Sequence, residues 1–386
     1  MTNATVEFRH VSKQYGPQGA VVDLSLLVPA GDICVLVGPS GCGKTTSLKM
    51  VNRLVEPSSG QVLIDGVDIM SVEVTALRRR IGYVIQQIGL FPHQTVADNI
   101  ATVPRLLGWP AHKTRARVEE LLELIGLDPA RVRHRYPSQL SGGERQRVGV
   151  ARAMAAEPPV MLMDEPFGAV DPIVRERLQN EFLRLHRTLG TTVLFVTHDI
   201  DEAIKMGTRV AVMQQGGHLA QYAPPTQLLL YPANDFVARF VGTDRGLKRL
   251  SLLTVADVKV EPCIVARVGE PARIAWTRAL EAGTNYVLLL DRADRPQGWM
   301  RVEQLTSDDP LTADNVDTSS PLVTFETTLR DALSMLLASA VQTAVVIDER
   351  GRYAAVLTLD TLGVAFRSDE ATTNAERTAR EAERVL

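Results

Sequence analysis

Nine consecutive residues have the types and spacing of a loop that binds phosphate. They follow the apolar run 33–37 and read, in order, Gly38, Pro39, Ser40, Gly41, Cys42, Gly43, Lys44, Thr45 and Thr46. Glycine lets backbone N–H groups approach a phosphate because it has no Cβ to block them, and a helix N-terminus attracts the anion. In such a loop the Lys44 ammonium reaches the β- and γ-phosphates and the Thr45 hydroxyl ligates Mg²⁺. Placed between a strand and a helix, the motif predicts that the chain binds a nucleoside triphosphate.

Two adjacent carboxylates follow a second apolar run, 160–163, and are the candidates for hydrolytic chemistry. Asp164 and Glu165 stand where a buried strand would end, and carboxylates delivered there beside a phosphate suit Mg²⁺ and a water molecule. We expect Asp164 to hold the metal ion through water and Glu165 to polarise or deprotonate the attacking water.

A second candidate anion site lies between these two motifs in the chain. Leu140 is followed by Ser141, Gly142, Gly143 and Glu144, and then by a helical stretch. A serine and glycines at a helix start present N–H groups to an anion. Alone this is the pattern of an ordinary capped helix, but its position between the other two motifs makes it specific.

The elements that must position these groups are apolar runs that alternate with helical stretches. The runs lie near Ile33, Val160, Thr192 and Val210. This alternation predicts the α/β fold class, with a mainly parallel sheet flanked by helices.

Composition narrows the class of protein. The 386 residues suffice for two or three domains, and 45% of them are hydrophobic, as in a globular protein. A net charge of −3 provides no basic field for nucleic acid. The three cysteines are far apart, which excludes a disulfide framework or a zinc site and fits a reducing cytosol. We find no signal peptide and no uncharged apolar stretch of about 18 residues, so we expect no transmembrane segment.

Taken in order, the motifs resemble those of the ATP-binding subunits of ABC transporters, over about residues 6–242. The resemblance implies that the stretch 140–144 caps the γ-phosphate of ATP held by a second copy of the chain, so that two copies enclose two nucleotides. It also implies that Glu165 is catalytic together with His198, which follows the apolar run 193–197 and would contact the γ-phosphate.

Three further site residues take their roles from the resemblance. Tyr15 would stack on adenine. Gln86 would touch Mg²⁺ and sense the γ-phosphate; its neighbour Gln87 is the alternative, and the choice rests on the spacing to the Phe-Pro-His sequence that begins at Phe91. Asp171 would lie in the loop that contacts the second copy, although Gly-Ala-Val-Asp stands there in place of the family's more usual Ser-Ala-Leu-Asp.

The resemblance also implies a helical subdomain of about 89–160, with its clearest part over 89–126, that meets the membrane partner. Leu90, Phe91 and Pro92 form an apolar wedge in it. The wedge would help to form the docking groove, and ordinary core is the alternative.

The C-terminal third contains an internal repeat. Asp291 and Asp348 end two matching apolar runs, and Leu305 aligns with Leu362, both at an offset of 57 residues. Each copy is predicted as a helix, an apolar strand, a polar turn, a second strand and a short helix, with the first helices over 273–282 and 329–338. The pattern resembles a tandem pair of CBS modules.

CBS pairs often bind adenine nucleotides through a Thr or Ser followed three residues later by Asp. The second copy here has Thr358 but Thr361, and the first has Arg301 and Gln304. Because both copies depart from the pattern, four possibilities stay open for this pair. It could bind a nucleotide, respond to ionic strength, bind a ligand between dimers, or bind no ligand.

The predicted domain boundaries follow from these motifs. They are a nucleotide-binding domain over 1–242, a linker over 243–254, a CBS domain over 255–367 with copies 255–310 and 318–367, and a charged tail over 368–386. The tail is either a solvated helix supported by Glu376 and Arg380 or a disordered segment.

A nucleotide-binding domain followed by two CBS modules resembles the ATPase subunits of osmoprotectant importers, and the stretch 82–93 is typical of that branch. The resemblance implies an ATPase that uses ATP and Mg²⁺ and pairs with a second copy of itself. It would bind permease subunits at the cytoplasmic face of the cell membrane, and through them a substrate-binding protein, to import glycine betaine, choline or carnitine. Import of an amino acid or sugar is one alternative. A non-transport ABC ATPase that acts on nucleic acid or ribosomes is another, but it would more usually have two cassettes or long coiled coils.

Overall fold

The computed structural model describes residues 4–85, 89–168, 170–316, 320–339 and 341–363. The chain divides into two compact units between Thr243 and Asp244. Gln86 and Gln87, the charged tail predicted over 368–386 and the end of the second repeat copy lie outside the described residues.

The first unit is built on two sheets. Its strands are β1 (Val6–Tyr15), β2 (Gln18–Val28), β3 (Ile33–Val37), β4 (Ser59–Ile64), β5 (Val67–Asp68), β6 (Ile81–Val84), β7 (Val160–Asp164), β8 (Thr192–Thr197), β9 (Arg209–Gln214) and β10 (His218–Ala223). The central sheet has the order β10-β9-β3-β8-β7-β6. Its strands are parallel except for the edge strand β10, so the predicted mainly parallel sheet is confirmed.

The three middle strands of the central sheet are buried on both faces. Every residue of β3, β7 and β8 is buried, which is why each appears in the sequence as a continuous apolar run rather than an alternating one. The register pairs Val37 with Thr197 and Asp164 with Val196. The carboxyl ends of three parallel strands therefore meet at one edge of the sheet, where open α/β sheets bind ligands.

The second sheet of this unit is antiparallel, with the order β2-β1-β4-β5. The main core lies between the two sheets and the first helix. It joins Phe8 and Val62 of the antiparallel sheet to Leu36 and Leu162 of the central sheet and to Leu48.

Ten helices are described in the first unit. They are α1 (Lys44–Val51), α2 (Val74–Arg79), α3 (Val96–Leu106), α4 (Ala111–Leu124), α5 (Pro129–Val132), α6 (Gly142–Met154), α7 (Pro172–Leu189), α8 (Ile200–Met206), α9 (Pro225–Leu230) and α10 (Asp235–Val241). Helices α3 to α6 follow one another without an intervening strand, in the stretch where the helical subdomain was predicted.

Phe91, the aromatic residue of the apolar wedge at the start of that stretch, does not belong to the core. Phe91 is 40% exposed, and the guanidinium of Arg152 lies 5.8 Å from the centroid of its ring. The interpretation of Phe91 as ordinary core is therefore wrong, because its ring lies beside the Arg152 guanidinium and the exposed His93 ring, whose centroid is 6.1 Å away.

The second unit contains two copies of one motif. Its elements are α11 (Arg245–Leu250), β11 (Val265–Arg267), α12 (Ala272–Glu281), β12 (Tyr286–Leu290), β13 (Pro296–Arg301), β14 (Leu322–Thr324), α13 (Leu329–Ala338), β15 (Thr343–Ile347) and β16 (Tyr353–Thr358). Leu288 pairs with Trp299 in the first copy and Val345 with Val356 in the second, which preserves the offset of 57 residues. These four side chains and Leu290 share one apolar cluster between the two copies.

Each copy also begins with a strand that the sequence pattern did not predict. β11 lies parallel to β12, and β14 lies parallel to β15. Both strands have three residues, which is too short for a period of two to be recognised.

The predicted linker 243–254 is not an extended connection. Residues 245–250 form α11, and Leu250 is buried, with Leu253 packed beside it, in a core that also contains Leu329 and Leu336. The leucines give this segment an apolar side that the fold covers.

None of the helices in the described part of the chain is long and apolar enough to span a membrane.

Candidate nucleotide site

The phosphate loop of residues 38–46 connects β3 to α1, as its sequence predicted. Two of its glycines are required by close packing: a Cβ on Gly38 would lie 2.1 Å from the carbonyl oxygen of Met213, and one on Gly43 would lie 2.2 Å from that of Ala20. Gly41, with φ +79°, faces open space. The glycines thus serve the packing of the loop against neighbouring strands as well as the approach of a ligand.

Lys44 lies inside this loop. Its side chain is only 6% exposed, and its Nζ atom donates hydrogen bonds to the carbonyl oxygens of Gly38, at 2.7 Å, and Pro39, at 3.0 Å. The Cys42 thiol lies 3.7 Å from the same ammonium, and burial raises the pKa of that thiol. A fixed ammonium enclosed by backbone is a suitable partner for a phosphate oxygen.

Thr45 and Asp164 meet at the start of α1. The Thr45 hydroxyl donates to Asp164 Oδ1 at 3.0 Å. Asp164 is 4% exposed, and burial raises its pKa while the Thr45 hydrogen bond opposes that effect. Buried hydroxyl and carboxylate oxygens are the ligands that Mg²⁺ prefers, so this pair fits the divalent ion that the loop motif implies.

Glu165 and His198 meet at the next point along the same sheet edge. His198 Nδ1 lies 3.1 Å from Glu165 Oε1, and the Glu165 N–H donates to the Val196 carbonyl at 3.0 Å. Glu165 has a φ of +46°, a left-handed backbone that is strained for a residue other than glycine. The His198 side chain is 62% exposed and that of Glu165 is 22% exposed, so both can be reached from solvent.

The stretch 141–144 forms the N-terminus of α6. The Glu144 N–H donates to Ser141 Oγ at 3.2 Å, and the Ser141 N–H donates to the Glu144 carboxylate at 2.8 Å. These reciprocal bonds form a capping box, and the bond from the Ser141 backbone is the main cause that lowers the pKa of Glu144. Ser141 and Gly142 are exposed, so this helix end can meet a ligand or another molecule.

The structure places two of the remaining predicted residues. Tyr15 ends β1, is 53% exposed, and has the Lys13 ammonium 5.3 Å from its ring centroid. Asp171 caps the N-terminus of α7, where its carboxylate accepts from the Val174 N–H at 3.1 Å. Gln86 lies outside the described residues.

Two buried polar contacts beside the site were not predicted. Gln146 on α6 donates from Nε2 to the carbonyl oxygen of Pro166, next to Glu165. Gln179 donates to Glu202 at 3.0 Å, and burial raises the pKa of that carboxyl. A signal for Gln146 was present in the sequence, because its spacing to the small residues Gly149 and Ala153 puts it on the inward face of its helix.

Comparison with known proteins agrees with this geometry. The family model described as "ABC transporter" matches residues 21–168. The osmoprotectant import ATP-binding protein OsmV of Salmonella typhimurium is 47% identical over 354 residues, which cover 92% of each chain. The glycine betaine/carnitine/choline transport ATP-binding protein OpuCA of Bacillus subtilis is 41% identical over 358 residues, covering 92% of this chain and 94% of its own.

A solved structure agrees over the first part of the chain. The dimeric structure of MJ0796, a bacterial ABC transporter cassette, superposes with a TM-score of 0.52 at 32% identity, covering 57% of this chain and 98% of its own. Together with the two long, closely similar relatives, this shows that the chain belongs to the ABC transporter family, among its osmoprotectant-import ATP-binding proteins.

Proposed function

We propose that this chain hydrolyses ATP to drive the import of an osmoprotectant such as glycine betaine, choline or carnitine. The observation that carries the proposal is the meeting of Lys44, Thr45, Asp164, Glu165 and His198 at the carboxyl edge of one sheet. Of the relatives that match along 92% of the chain, one is named for osmoprotectant import and one for transport of glycine betaine, carnitine and choline.

Each side chain at this edge has a role that follows from its position. The loop N–H groups and Lys44 bind the β- and γ-phosphates. Thr45 and Asp164 would hold Mg²⁺, with Gln86 as the third residue, and the ion would neutralise phosphate charge. Glu165 Oε1 accepts a proton from the attacking water, and His198, 3.1 Å from that carboxylate, orients it and contacts the γ-phosphate.

A pair of chains completes the site. The exposed N-terminus of α6 at Ser141 offers N–H groups to an anion, and we assign it to the γ-phosphate held by a second copy. Tyr15 stacks on adenine, and Asp171 holds the first turn of α7 at the contact between the copies. ATP binding then brings the two copies together, and hydrolysis separates them.

The helical subdomain provides the surface for the permease. Helices α3 and α4 border an open cleft of about 520 Å³, lined among others by Arg105, Trp109 and Arg133. Phe91, Leu106 and Leu107 expose apolar side chains in the same subdomain, by 40%, 56% and 43%. We assign this surface to the permease, which would hold the chain at the cytoplasmic face of the membrane.

Transport in proteoliposomes tests the function directly. Full-length protein assembled with its permease and binding protein should accumulate labelled glycine betaine, choline or carnitine when ATP is supplied on the side of the ATP-binding subunit. Labelled amino acids and sugars are the controls. Uptake of only these control compounds would overturn the substrate class while leaving the ATPase assignment intact.

We further propose that the tandem CBS pair of the second unit regulates the ATPase. The duplicated sheets support its assignment as a repeat pair. In the second copy, Thr358 and Thr361 bond to each other at 3.0 Å, so no carboxylate stands where CBS pairs hold ribose. A response to ionic strength would act through charge contacts, whose range is about 8 Å at physiological salt.

Removal of the second unit should separate catalysis from regulation. A chain that ends at Thr243 retains the core and the nucleotide site of the first unit, so we expect basal ATPase activity within about twofold of the full chain. In the reconstituted importer, the dependence of transport on salt should be lost or shifted. A truncated importer with the same salt dependence as the full-length one would exclude the CBS pair as the sensor.

A further inference from the structure

A buried amide connects α6 to the turn that carries Glu165. Gln146 is 3% exposed, and its Nε2 group donates to the Pro166 carbonyl. Its Oε1 atom is buried without a hydrogen-bond partner among the described residues. An apolar side chain of the same shape would avoid the cost of that unpaired oxygen, so the packing of α6 alone does not account for an amide at this position.

The bond from Gln146 to Pro166 lies next to Glu165, where it can fix the orientation of the Glu165 side chain. The turn is also held by two backbone bonds, from the Glu165 N–H to Val196 at 3.0 Å and from the Gly168 N–H to Glu165 at 3.1 Å. Between these two bonds, the peptide of Pro166 is fixed by Gln146. Because the Glu165 backbone is left-handed, with φ +46°, it needs such support from its surroundings.

The same helix begins at the cap assigned to the other nucleotide. Ser141 and Gln146 are five residues apart on α6, or about 7.5 Å along a rigid helix. A movement of α6 when Ser141 meets the partner's nucleotide would therefore be transmitted to the Pro166 carbonyl. Both contacts lie in the N-terminal half of α6, one at its cap and one at its fifth residue.

We propose that Gln146 is a positioning residue, which couples the orientation of Glu165 in one site to the seating of α6 on the nucleotide of the other. The inference rests on the proposed function, since it uses the roles assigned there to Glu165 and Ser141. It goes further in naming a side chain that touches neither nucleotide and yet sets the rate of hydrolysis.

The variant Gln146→Met tests this because methionine fills a similar volume but cannot donate to Pro166. In the full-length protein we expect kcat for ATP hydrolysis to fall about five- to tenfold, as for the loss of one hydrogen bond, with KM for ATP changed by less than about twofold. In a Glu165→Gln background the same substitution should cause no further loss of residual turnover, because the side chain it orients is already inactive.

A control removes a glutamine that bonds to backbone outside the proposed site residues. Gln221 donates from Nε2 to the Tyr231 carbonyl at 2.9 Å and accepts from the Ala233 N–H at 2.8 Å, so Gln221→Met should lower the melting temperature and leave kcat unchanged. If Gln146→Met does not fold, Gln146→Asn is the second variant. Its amide is one methylene too short to reach the Pro166 carbonyl, so we expect the same fall in kcat without a change in KM for ATP.

Four outcomes distinguish the possibilities. An unchanged kcat, or a parallel loss of kcat, ATP affinity and melting temperature, would overturn the coupling role. A further loss in the Glu165→Gln background would also overturn it, since Gln146 would then act independently of Glu165. If Glu165→Gln itself keeps full turnover, the role of Glu165 in the proposed function fails and the role of Gln146 fails with it, whereas an unchanged kcat in Gln146→Met overturns the coupling role alone.

Discussion

Glu165→Gln should lower kcat for ATP hydrolysis by about a hundred- to ten-thousandfold, which is the range that general-base catalysis contributes. The amide keeps the size of the side chain but cannot accept the proton of the attacking water. Lys44, Thr45 and Asp164 make their contacts independently of the Glu165 carboxylate, so ATP should still bind. The variant should therefore accumulate as an ATP-bound dimer, measurable by size-exclusion chromatography with and without ATP.

A surface substitution with the same charge change provides the control. Glu56 is mostly exposed and lies 3.6 Å from Arg53, away from the sheet edge, so Glu56→Gln should hydrolyse ATP normally and dimerise no more than the unmodified chain. Rapid turnover by Glu165→Gln would falsify the assignment of Glu165 as the base.

Lys44→Ala should weaken ATP binding by about ten- to a hundredfold, corresponding to the loss of one charge-assisted hydrogen bond. The substitution removes the ammonium and also leaves the Gly38 and Pro39 carbonyls without the donor they have now. Titration calorimetry with ATP measures the affinity directly. The rise in melting temperature that ATP produces should shrink by the corresponding amount.

Lys259 in the second unit is exposed, and Lys259→Ala removes the same charge without touching the loop. It should bind ATP as the unmodified chain does. Equal ATP affinity in the two variants would show that Lys44 is not a phosphate ligand.

The sequence was most informative where residues adjacent in the chain form the site. The phosphate loop needs only β3 and α1 around it, and continuous apolar runs such as 33–37 and 160–163 are what strands buried on both faces require. The parallel sheet and the strand-end positions of Asp164 and His198 followed from those runs.

Contacts between segments that are distant in sequence were not predictable in this way. The bond from Gln146 to Pro166 spans 20 residues, and the one from Gln179 to Glu202 spans 23. No local pattern shows which inward-facing polar side chains will meet. The helix over 245–250 was missed for a different reason, because six residues between two larger domains are too few for a helical period to be recognised.

The left-handed backbone of Glu165 implies that stability of the fold and ATP hydrolysis favour different residues at this one position. A residue with φ +46° costs the fold on the order of 1–3 kcal/mol unless it is glycine, and glycine has no carboxylate. Selection for stability alone would favour replacement of this glutamate, and only selection for hydrolysis retains it. In a duplicated copy released from its transport role, this position should be among the first to drift towards glycine or asparagine.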